Sequence, residues 1–393
     1  MVDRLLSLLL LLALGERVWK GWAVRAFFRR QRPEPPPGDP PLVSIIQPIL
    51  SGDPTLAASL EASLTFRSGY PREWLWLLDT DDTEGHRVCA DLVKRYPAAG
   101  VRLLLVPPPG PHENPKMAKL IVGARAARGA VLCVLDDDTR LPDGGLEQCL
   151  PYLDEPGVGL AFGLPYYVSF EGFWSALVAC FVNGHSLLTY VPVAMSGDPA
   201  TINGMFYAVR RATLEAVGGF AGLEPFVADD FAVARRFREH GYRLAQTPLR
   251  HAISTTVAGP SHYARLMQRW LVFPRESLMR YLAPGDLARF YALALLPLFA
   301  PWLAAGAVAG GHGATRALGL LYLAVSTAQA THLNRAYLGG ATPARWAWLT
   351  PVVQLLLPAQ VIAALLLPQR VRWRGHLIAV ERGGGVRMLR RRG

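Results

Sequence analysis

Ala-Val-Leu-Cys-Val-Leu-Asp-Asp-Asp-Thr-Arg, residues 130–140, is a short apolar run that leads directly into three carboxylates. An uninterrupted run of Val, Leu and Cys is typical of a strand buried on both faces of a parallel sheet. In open α/β sheets the ligand crevice lies at the carboxyl ends of the strands. Asp136 and Asp138 are two residues apart, so in an extended chain their side chains project to the same side, about 6–7 Å from each other.

The acidic triplet predicts a site for a divalent cation. Carboxylate oxygens suit Mg²⁺ or Mn²⁺, and proteins usually share such ions with substrate phosphates. One of the two carboxylates, Asp136 or Asp138, then binds the metal while the other holds a ribose hydroxyl or a metal-bound water. The alternative is an acidic turn that caps the next helix, for which Asp143 is well placed.

The composition excludes an ordinary soluble enzyme. The 393 residues suffice for one large domain or two smaller ones, yet 51% of them are hydrophobic and the formal net charge is +11. The apolar excess lies at the two ends of the chain. Since the basic residues flank these apolar stretches, nucleic acid is not expected as a partner. The four cysteines lack paired metal spacing and are interpreted as reduced core thiols.

The N-terminal region predicts membrane contact followed by a linker. Within residues 1–30, the Leu-rich run at 5–14 is too short to span a bilayer. It is therefore interpreted as a membrane anchor or an interfacial helix. Residues 31–41 are Pro-rich and predict a stiff extended linker.

The C-terminal region, 286–368, contains three apolar stretches at about 290–310, 317–333 and 345–367. The first and third are long enough to span, and the second is marginal. The tail, 369–393, is strongly basic, and basic flanks prefer the cytoplasm. Three complete spans would place this tail opposite the central domain. Either one stretch is re-entrant or interfacial, or the charge rule fails.

Residues 42–285 alternate between strand and helix patterns. Strands are predicted near 42–48, 74–79, 101–106, 130–135 and 158–168, with helical stretches between several of them. This alternation argues for a doubly wound, mostly parallel sheet. The apolar, aromatic segment 170–195 predicts either core or a surface that meets lipid or a hydrophobic acceptor. Residues 229–240 predict a helix, with Asp229 interpreted as a cap.

An ordered set of motifs resembles the family 2-type glycosyltransferases of the GT-A fold, and most closely the ceramide glucosyltransferase family with its bacterial hopanoid-associated relatives. The resemblance covers roughly residues 40–275. In chain order the motifs are Leu-Leu-Asp79, Asn114-Pro-Lys116, Leu-Asp136-Asp-Asp, Gly163-Leu-Pro-Tyr, Asn183-Gly-His185, Asn203-Gly-Met, Val-Ala-Asp229-Asp230-Phe and Arg269-Trp270.

The resemblance implies a Rossmann-like catalytic domain and a role for each matching residue. Asp79 matches the acid that binds the nucleotide base or ribose. Asp136 and Asp138 match the metal and nucleotide carboxylates, and Asp230 matches the catalytic base. Arg269 and Trp270 match the end of a family signature that lies near the diphosphate and the acceptor. His185 matches a histidine that the ceramide branch has in its acceptor region.

Several positions complicate these assignments. Leu266 stands three residues before Arg269, where the family signature has Gln or Arg, and Arg265 lies one residue too early. Lys116 could bind phosphate or be an ordinary first-turn residue. For His185, a satisfied interior histidine is the competing interpretation.

The function implied is a membrane-bound, inverting, metal-dependent glycosyltransferase. It would transfer glucose or N-acetylglucosamine from a UDP-sugar to a hydroxyl of a ceramide-like sphingolipid or a hopanoid. The alternatives are a processive polysaccharide synthase and a non-catalytic membrane scaffold that binds nucleotide sugar. The Arg-rich, Lys-poor composition favours a bacterial source. The expected location is the inner membrane, with the catalytic domain facing the cytoplasm.

Overall fold

A computed structural model describes residues 1–35, 37–273, 276, 279–339 and 342–392. Its centre is an eight-stranded sheet. The strands are β1 Val43–Pro48, β2 Arg72–Asp79, β3 Val101–Val106, β4 Val131–Leu135, β5 Thr139–Arg140, β6 Val158–Tyr167, β7 Phe206–Arg210 and β8 Arg243–Ile253. Their order across the sheet is β3-β2-β1-β4-β7-β6-β8-β5.

The sheet is mostly parallel, as predicted. Strands β1, β2, β3 and β4 pair in parallel, and β6 pairs in parallel with β8. Only β7 and β5 run against their neighbours. The residues that follow β2 and β4 therefore lie at the same edge of the sheet, where the ligand crevice of such folds is found. The strands predicted from the sequence are all present.

Both faces of the sheet are covered, which explains why its strands are continuous apolar runs. Along β2, Trp74 and Trp76 face one helical layer, and Leu75 and Leu77 face the other. Burying each such side chain stabilises the folded state by roughly 1.5–3 kcal/mol relative to leaving it exposed. The first layer contains α2 Leu56–Thr65 and α3 Thr83–Arg95; the second contains α4 Pro115–Ala126, α6 Arg211–Ala216 and α7 Asp229–Glu239.

The remaining helices lie beside this domain. They are α1 Val2–Arg29, α5 Phe173–Ser196, α8 Pro260–Phe273, α9 Met279–Tyr281, α10 Pro284–Gly310, α11 Gly313–Leu333 and α12 Leu349–Leu366. Short 3₁₀ or π turns occur at Pro97–Ala99, Leu150–Asp154, Asn334–Leu338 and Ala344–Trp346. Within the described residues, three segments are long and apolar enough to cross a membrane: Phe173–Ser196, Pro284–Gly310 and Ala344–Leu366.

Helix α1 packs with α10 and α11 into a bundle. It runs unbroken for 28 residues, so the Leu-rich run at 5–14 is only its first half. Leu10 and Ala13 are buried against alanines of α10 and against Tyr322 of α11. The linker 31–41 contains no helix or strand among its described residues, and its residue 36 lies outside them.

The region 369–393, interpreted from the sequence as a basic tail, is a folded sheet as far as residue 390. Its antiparallel strands are β9 Arg370–Trp373, β10 His376–Val380 and β11 Val386–Arg390. Val371, Ile378, Val380 and Val386 bury one face against Val227 of the catalytic domain. The basic side chains hide this apolar alternation in the sequence.

Candidate active site

The acidic triplet forms a tight turn at the carboxyl end of β4. The amide N–H of Thr139 donates to the carbonyl of Asp136 at 3.1 Å, which closes a turn over residues 136–139. The expected extended geometry for Asp136 and Asp138 is therefore wrong, because the strand ends at Leu135. The capping alternative is also wrong for Asp143, whose carboxylate instead accepts from the backbone and side chain of Arg67.

Lys116 links two of the elements that meet at this edge. Its Nζ lies 2.7 Å from Asp136 and 3.1 Å from Asp229, and it donates to the carbonyl of Gly204 at 2.8 Å. Burial alone would lower the pKa of Lys116, but the two carboxylates outweigh it and the pKa is raised. Lys116 is thus a buried cation that holds the ends of β4 and α7 together.

Asp229 is not the helix cap that its position predicted. The cap residue of α7 is Ala228, without a side-chain capping bond. Asp229 instead lines the cavity beside Lys116 and faces the same space as Asp230. The two acids at the start of α7 therefore both belong to the site.

Asp230 has the electrostatic properties that a general base needs. Burial raises its pKa to about 7, and the negative charge of Asp229 adds to the rise. Its Cβ would lie 3.1 Å from a β-carbon built on Gly204. The contact is tight, so a side chain at position 204 would displace Asp230 by a few tenths of an ångström.

A cavity of about 510 Å³ joins these charges to an apolar wall. Helices α5 and α8 supply that wall with Phe181, Val182 and Trp270. Trp270 stacks on Phe181 at 6.2 Å and meets Tyr167 edge-on at 6.1 Å. One side of the cavity is therefore charged and the opposite side can accommodate an apolar group.

His185 also lines the cavity, from the middle of α5. Its Nδ1 donates to the carbonyl of Phe181, one turn earlier, at 2.7 Å. This bond fixes the tautomer, so Nε2 is left as an acceptor. One ring nitrogen is thus satisfied by the helix while the ring borders the cavity, and the role of His185 toward an acceptor stays a prediction.

Arg269 is the second cation of the cavity. Within the described part of the chain it makes no ion pair with a carboxylate. Burial lowers its pKa, although the charges of Asp136 and Asp138 act against this. A half-buried guanidinium without a carboxylate partner is suited to bind an anionic ligand.

Six of the predicted site residues line this one cavity: Lys116, Asp136, His185, Asp230, Arg269 and Trp270. Asp79 does not, and its carboxylate is buried in an ion pair with Lys119 at 2.9 Å. Asp138 also lies outside the lining, where its oxygens accept from the hydroxyls of Thr139 and Thr255.

The chain matches the family model "Glycosyl transferase family 21" over residues 5–386. This match covers far more than half of the chain. The protein belongs to glycosyl transferase family 21. The prediction of a ceramide glucosyltransferase-like glycosyltransferase is therefore confirmed at the level of the family.

Two curated relatives of this family 21 protein come from Caenorhabditis elegans. Ceramide glucosyltransferase 1 is 25% identical over 235 residues, which are 59% of this chain and 49% of the relative. Ceramide glucosyltransferase 3 is 26% identical over 210 residues, 52% of this chain and 44% of the relative. The matched segment thus spans about half the length of these relatives.

A solved structure shares the fold of the family 21 protein. The mannosyltransferase PcManGT from Pyrobaculum calidifontis, solved in complex with GDP-Man and Mn²⁺, superposes with a TM-score of 0.54 at 19% identity. The superposition covers 93% of this chain and 99% of PcManGT. It confirms the predicted GT-A-like architecture with membrane or interfacial helices beyond the catalytic domain.

The sequence interpretation missed several residues of the family 21 site. Asp137 was treated only as the middle of the triplet, yet it is buried and accepts from both Leu50 N–H and Arg374. Trp373 lines the cavity from the C-terminal sheet. The sequence contains one weak indication of this sheet. Arg374 and Gly375 form a two-residue hairpin turn, but the many basic residues around them obscure the strand pattern.

The carboxylates of the triplet fit a divalent cation only as a partial ligand set. No group of three or more His, Cys, Asp or Glu side chains within the described residues could enclose a metal ion. Burial raises the pKa of Asp138 to about 7, and the negative charges of Asp137 and Asp136 add to the rise while Arg374 acts against it. A site of one or two carboxylates completed by substrate phosphates is the arrangement that Mg²⁺ commonly takes.

Proposed function

We propose that this family 21 protein is a membrane-bound, inverting glycosyltransferase that moves a sugar from a nucleotide diphosphate to a lipid hydroxyl. The observation that carries the proposal is the single cavity in which Asp136, Lys116, Asp230 and Arg269 face an apolar wall. A charged donor and a hydrophobic acceptor need such a two-sided site. Donors of this class are glucose or N-acetylglucosamine linked to UDP, and acceptors are a ceramide-like sphingolipid or a hopanoid.

The acceptor hydroxyl must lose a proton as it attacks the sugar. Asp230 is suited to accept that proton, since its pKa of about 7 keeps a basic carboxylate available near neutral pH. With one base opposite the leaving group, attack is a single displacement that inverts the anomeric carbon. An α-linked donor then gives a β-glycoside.

The leaving diphosphate gathers negative charge on the other side of the cavity. Arg269 would bind it, because a guanidinium matches phosphate oxygens with two parallel hydrogen bonds. Asp136 and Asp138 would hold Mg²⁺ or Mn²⁺, and that ion would neutralise charge on the diphosphate. The presence of Mn²⁺ with a nucleotide sugar in PcManGT is consistent with this assignment.

The ammonium of Lys116 forms ion pairs with Asp136 and Asp229. Both contacts are short, 2.7 and 3.1 Å. When a donor and its cation approach Asp136, the Lys116 ammonium becomes available to phosphate oxygens. Lys116 is therefore proposed to bind the donor as well as to hold α7 in place.

Helices α5 and α8 would present the acceptor to the base. α5 is itself one of the segments apolar enough to meet lipid. A lipid hydroxyl could reach Asp230 along this wall, past His185 and Trp270. The predicted bacterial inner membrane, with the site on the cytoplasmic side, suits such an acceptor, and oligomeric state plays no part in the proposal.

The test is a transfer assay with isolated membranes that contain the protein. Labelled UDP-glucose or UDP-N-acetylglucosamine is added with a lipid extract, and the lipid fraction is analysed. A labelled glycolipid supports the proposal. A labelled polymer of high mass would support a processive synthase instead, and donor binding without any transfer would support a scaffold.

Asp230→Asn should reduce transfer by at least about 100-fold while donor binding stays close to that of the wild type, because general-base catalysis typically contributes this much. The measurement is the initial rate together with binding of labelled donor. Glu239→Gln, an exposed acid on the same helix, is the matched control. Lost donor binding in Asp230→Asn would remove Asp230 from the role of base.

A further inference from the structure

The C-terminal sheet contacts three loops at the edge of the catalytic domain where the site lies. Its strands follow α12 and approach the β1–α2 loop, the β3–α4 loop and the segment before α7. The β3–α4 loop leads to Lys116 and the segment before α7 leads to Asp229, while the β1–α2 loop contacts Asp137 beside Asp136. The inference that follows rests on the proposed function and assigns positioning residues to that site.

Arg374 is the contact that reaches deepest. Its guanidinium donates to Asp137 at 2.5 and 3.1 Å and to the carbonyl of Leu50 at 3.1 Å. The N–H of Leu50 in turn donates to Asp137 at 2.9 Å. Three groups from distant parts of the chain therefore close one network, with Asp137 buried at its centre.

The backbone of Arg374 is unusual in a way that points to this contact. Among the non-glycine residues that the structure describes, it is the one with a positive φ, at 50°. With Gly375 it forms the two-residue turn between β9 and β10. Such turns favour Asn at the first position. An arginine there has a less favourable backbone conformation, which indicates that its side chain is retained for the contact it makes.

Arg392 fixes the same loop a few ångströms further along. It donates to the carbonyl of Ser51 at 2.6 Å and to the Ser51 hydroxyl at 2.9 Å. Ser51 also donates to Asp82, the residue that caps α3. The β1–α2 loop is thus held by two arginines of the C-terminal segment.

The opposite end of the sheet is hydrogen-bonded to the segment before α7. The N–H of Val227 donates to the carbonyl of Gly384 at 2.8 Å, and the N–H of Val386 donates to the carbonyl of Pro225 at 2.7 Å. Val227 is two residues from Asp229 in the chain. The sheet therefore connects the turn that carries Asp136 with the helix that carries Asp230.

We infer that the C-terminal sheet sets the distance between Asp136 and Asp138, the proposed metal ligands, and Asp230, the proposed base. In this inference Arg374 is a positioning residue that acts through Asp137. The guanidinium of Arg374 is engaged by Asp137 and Leu50, and it also lies 3.7 Å from a carboxylate oxygen of Asp138. Arg374 therefore contacts the acidic turn at two of its three carboxylates. It holds the 136–139 turn in the geometry in which Asp136 faces the cavity.

The experiment compares Arg374→Gln and Asp137→Asn with Arg372→Gln. Arg372 lies two residues away on β9 with an exposed side chain, so its variant removes the same group from the same sheet. In Arg374→Gln and Asp137→Asn we expect kcat/KM to fall about 100-fold, the typical cost of misplacing catalytic groups by an ångström. The apparent affinity for Mn²⁺ should weaken about 10-fold, as it does when groups that orient metal ligands are removed.

Two further variants separate positioning from general stability. Arg374→Lys keeps the charge but lacks the paired donors, and it should recover part of the lost rate. The double variant Arg374→Gln/Asp137→Asn should be no worse than the poorer single variant, because both changes break one network. Additive losses would overturn the inference.

A measurement without substrate decides the inference independently of transfer. Hydrogen–deuterium exchange of the purified protein should rise in peptides covering 48–52 and 135–140 for Arg374→Gln and stay unchanged for Arg372→Gln. If the wild type transfers no sugar, the proposed function fails, while this comparison still tests whether Arg374 positions the 136–139 turn. Equal exchange in the two variants, or a rise spread evenly over the catalytic domain, would overturn the positioning role.

Discussion

Asp230 should give the enzyme a distinct pH profile. Its pKa of about 7 is caused first by burial and then by the charge of Asp229. Below this pH the carboxyl is protonated and cannot accept a proton, so kcat/KM should fall about tenfold per pH unit on the acid side and level off above about 7. The measurement is a pH–rate profile with the purified protein.

Replacing the neighbouring acid should move that profile in a known direction. Asp229→Asn removes a negative charge that raises the pKa of Asp230, and it leaves the positive charge of Lys116 less compensated. Both effects favour the ionised carboxylate, so the inflection should move to lower pH. Glu239→Gln on the same helix should leave it in place. An inflection that moved to higher pH in Asp229→Asn would contradict this electrostatic account.

Gly204 marks the limit of what residue patterns can predict. The Asn203-Gly204-Met205 motif suggested only membership of a family. The structure supplies the physical reason, since a β-carbon at Gly204 would lie 3.1 Å from Asp230 and 3.4 Å from Lys116. These partners lie 26 and 88 positions away in the chain, and local sequence cannot indicate so distant a contact.

At the scale of elements, Asn114 connects α4 to the segment before α7. Its Oδ1 accepts from the N–H groups of Lys116 and Met117, which caps the helix. Its Nδ2 donates to the carbonyls of Phe226 at 2.9 Å and Val227 at 3.1 Å. One buried amide thus orients both Lys116 and the start of α7.

Asn114→Ala should lower the free energy of unfolding by about 2 kcal/mol, since it removes a cap and leaves two carbonyls unpaired. Thermal unfolding followed by tryptophan fluorescence in detergent would measure the loss. Asn114→Ser keeps a capping oxygen and loses the Nδ2 donors, so its loss should be smaller. Equal losses would show that the cap contributes little.

Elements differ in how far the sequence predicts them. Strands such as β4 are predictable because burial on both faces leaves an uninterrupted apolar run. The C-terminal sheet is not, because its strands alternate basic and apolar residues, and the partner of Arg374 lies 237 positions earlier. Likewise, the length of α1 is hidden by Glu16, Arg17 and Lys20, which follow the apolar run in the sequence. In the structure Arg17 and Lys20 are buried, and they donate to Tyr322 of α11 and to the carbonyl of Leu293 of α10.

At the scale of the whole molecule, contacts at the helix ends constrain the membrane topology. α10 leaves the catalytic domain at Asp286, which accepts from Arg238 at 2.6 Å. The chain is back at the domain after α11, where Arg250 donates to the carbonyl of Tyr337 at 3.3 Å. These two helices form an antiparallel hairpin, of which α10 is long and apolar enough to cross a membrane. We expect the chain to cross along α10 and to return along α11.

α12 has both ends at the catalytic domain, although its length and composition would suffice for a span. Trp346 donates to the carbonyl of Phe170 at 3.0 Å before the helix, and Gln268 donates to the carbonyl of Pro368 at 3.0 Å after it. We therefore expect α12 to lie along the interface. This arrangement returns the C-terminal sheet to the catalytic side, in agreement with its basic charge.

Cysteine labelling would check this topology. The four native cysteines are buried, so they give little background. His312→Cys, in the exposed turn between α10 and α11, should react with a membrane-impermeant maleimide from the side opposite the catalytic domain. Arg382→Cys, in the β10–β11 loop, should react only after permeabilisation. Labelling of both from the same side would exclude the hairpin.

The position of the C-terminal sheet in the chain has a consequence for biosynthesis. Arg374 follows α10, α11 and α12, so a ribosome adds it only after these three helices have been made. Until that moment a nascent polypeptide has Asp137 without its guanidinium. The chain would then become able to catalyse sugar transfer only when its membrane integration is complete, and unfinished chains would consume no nucleotide sugar.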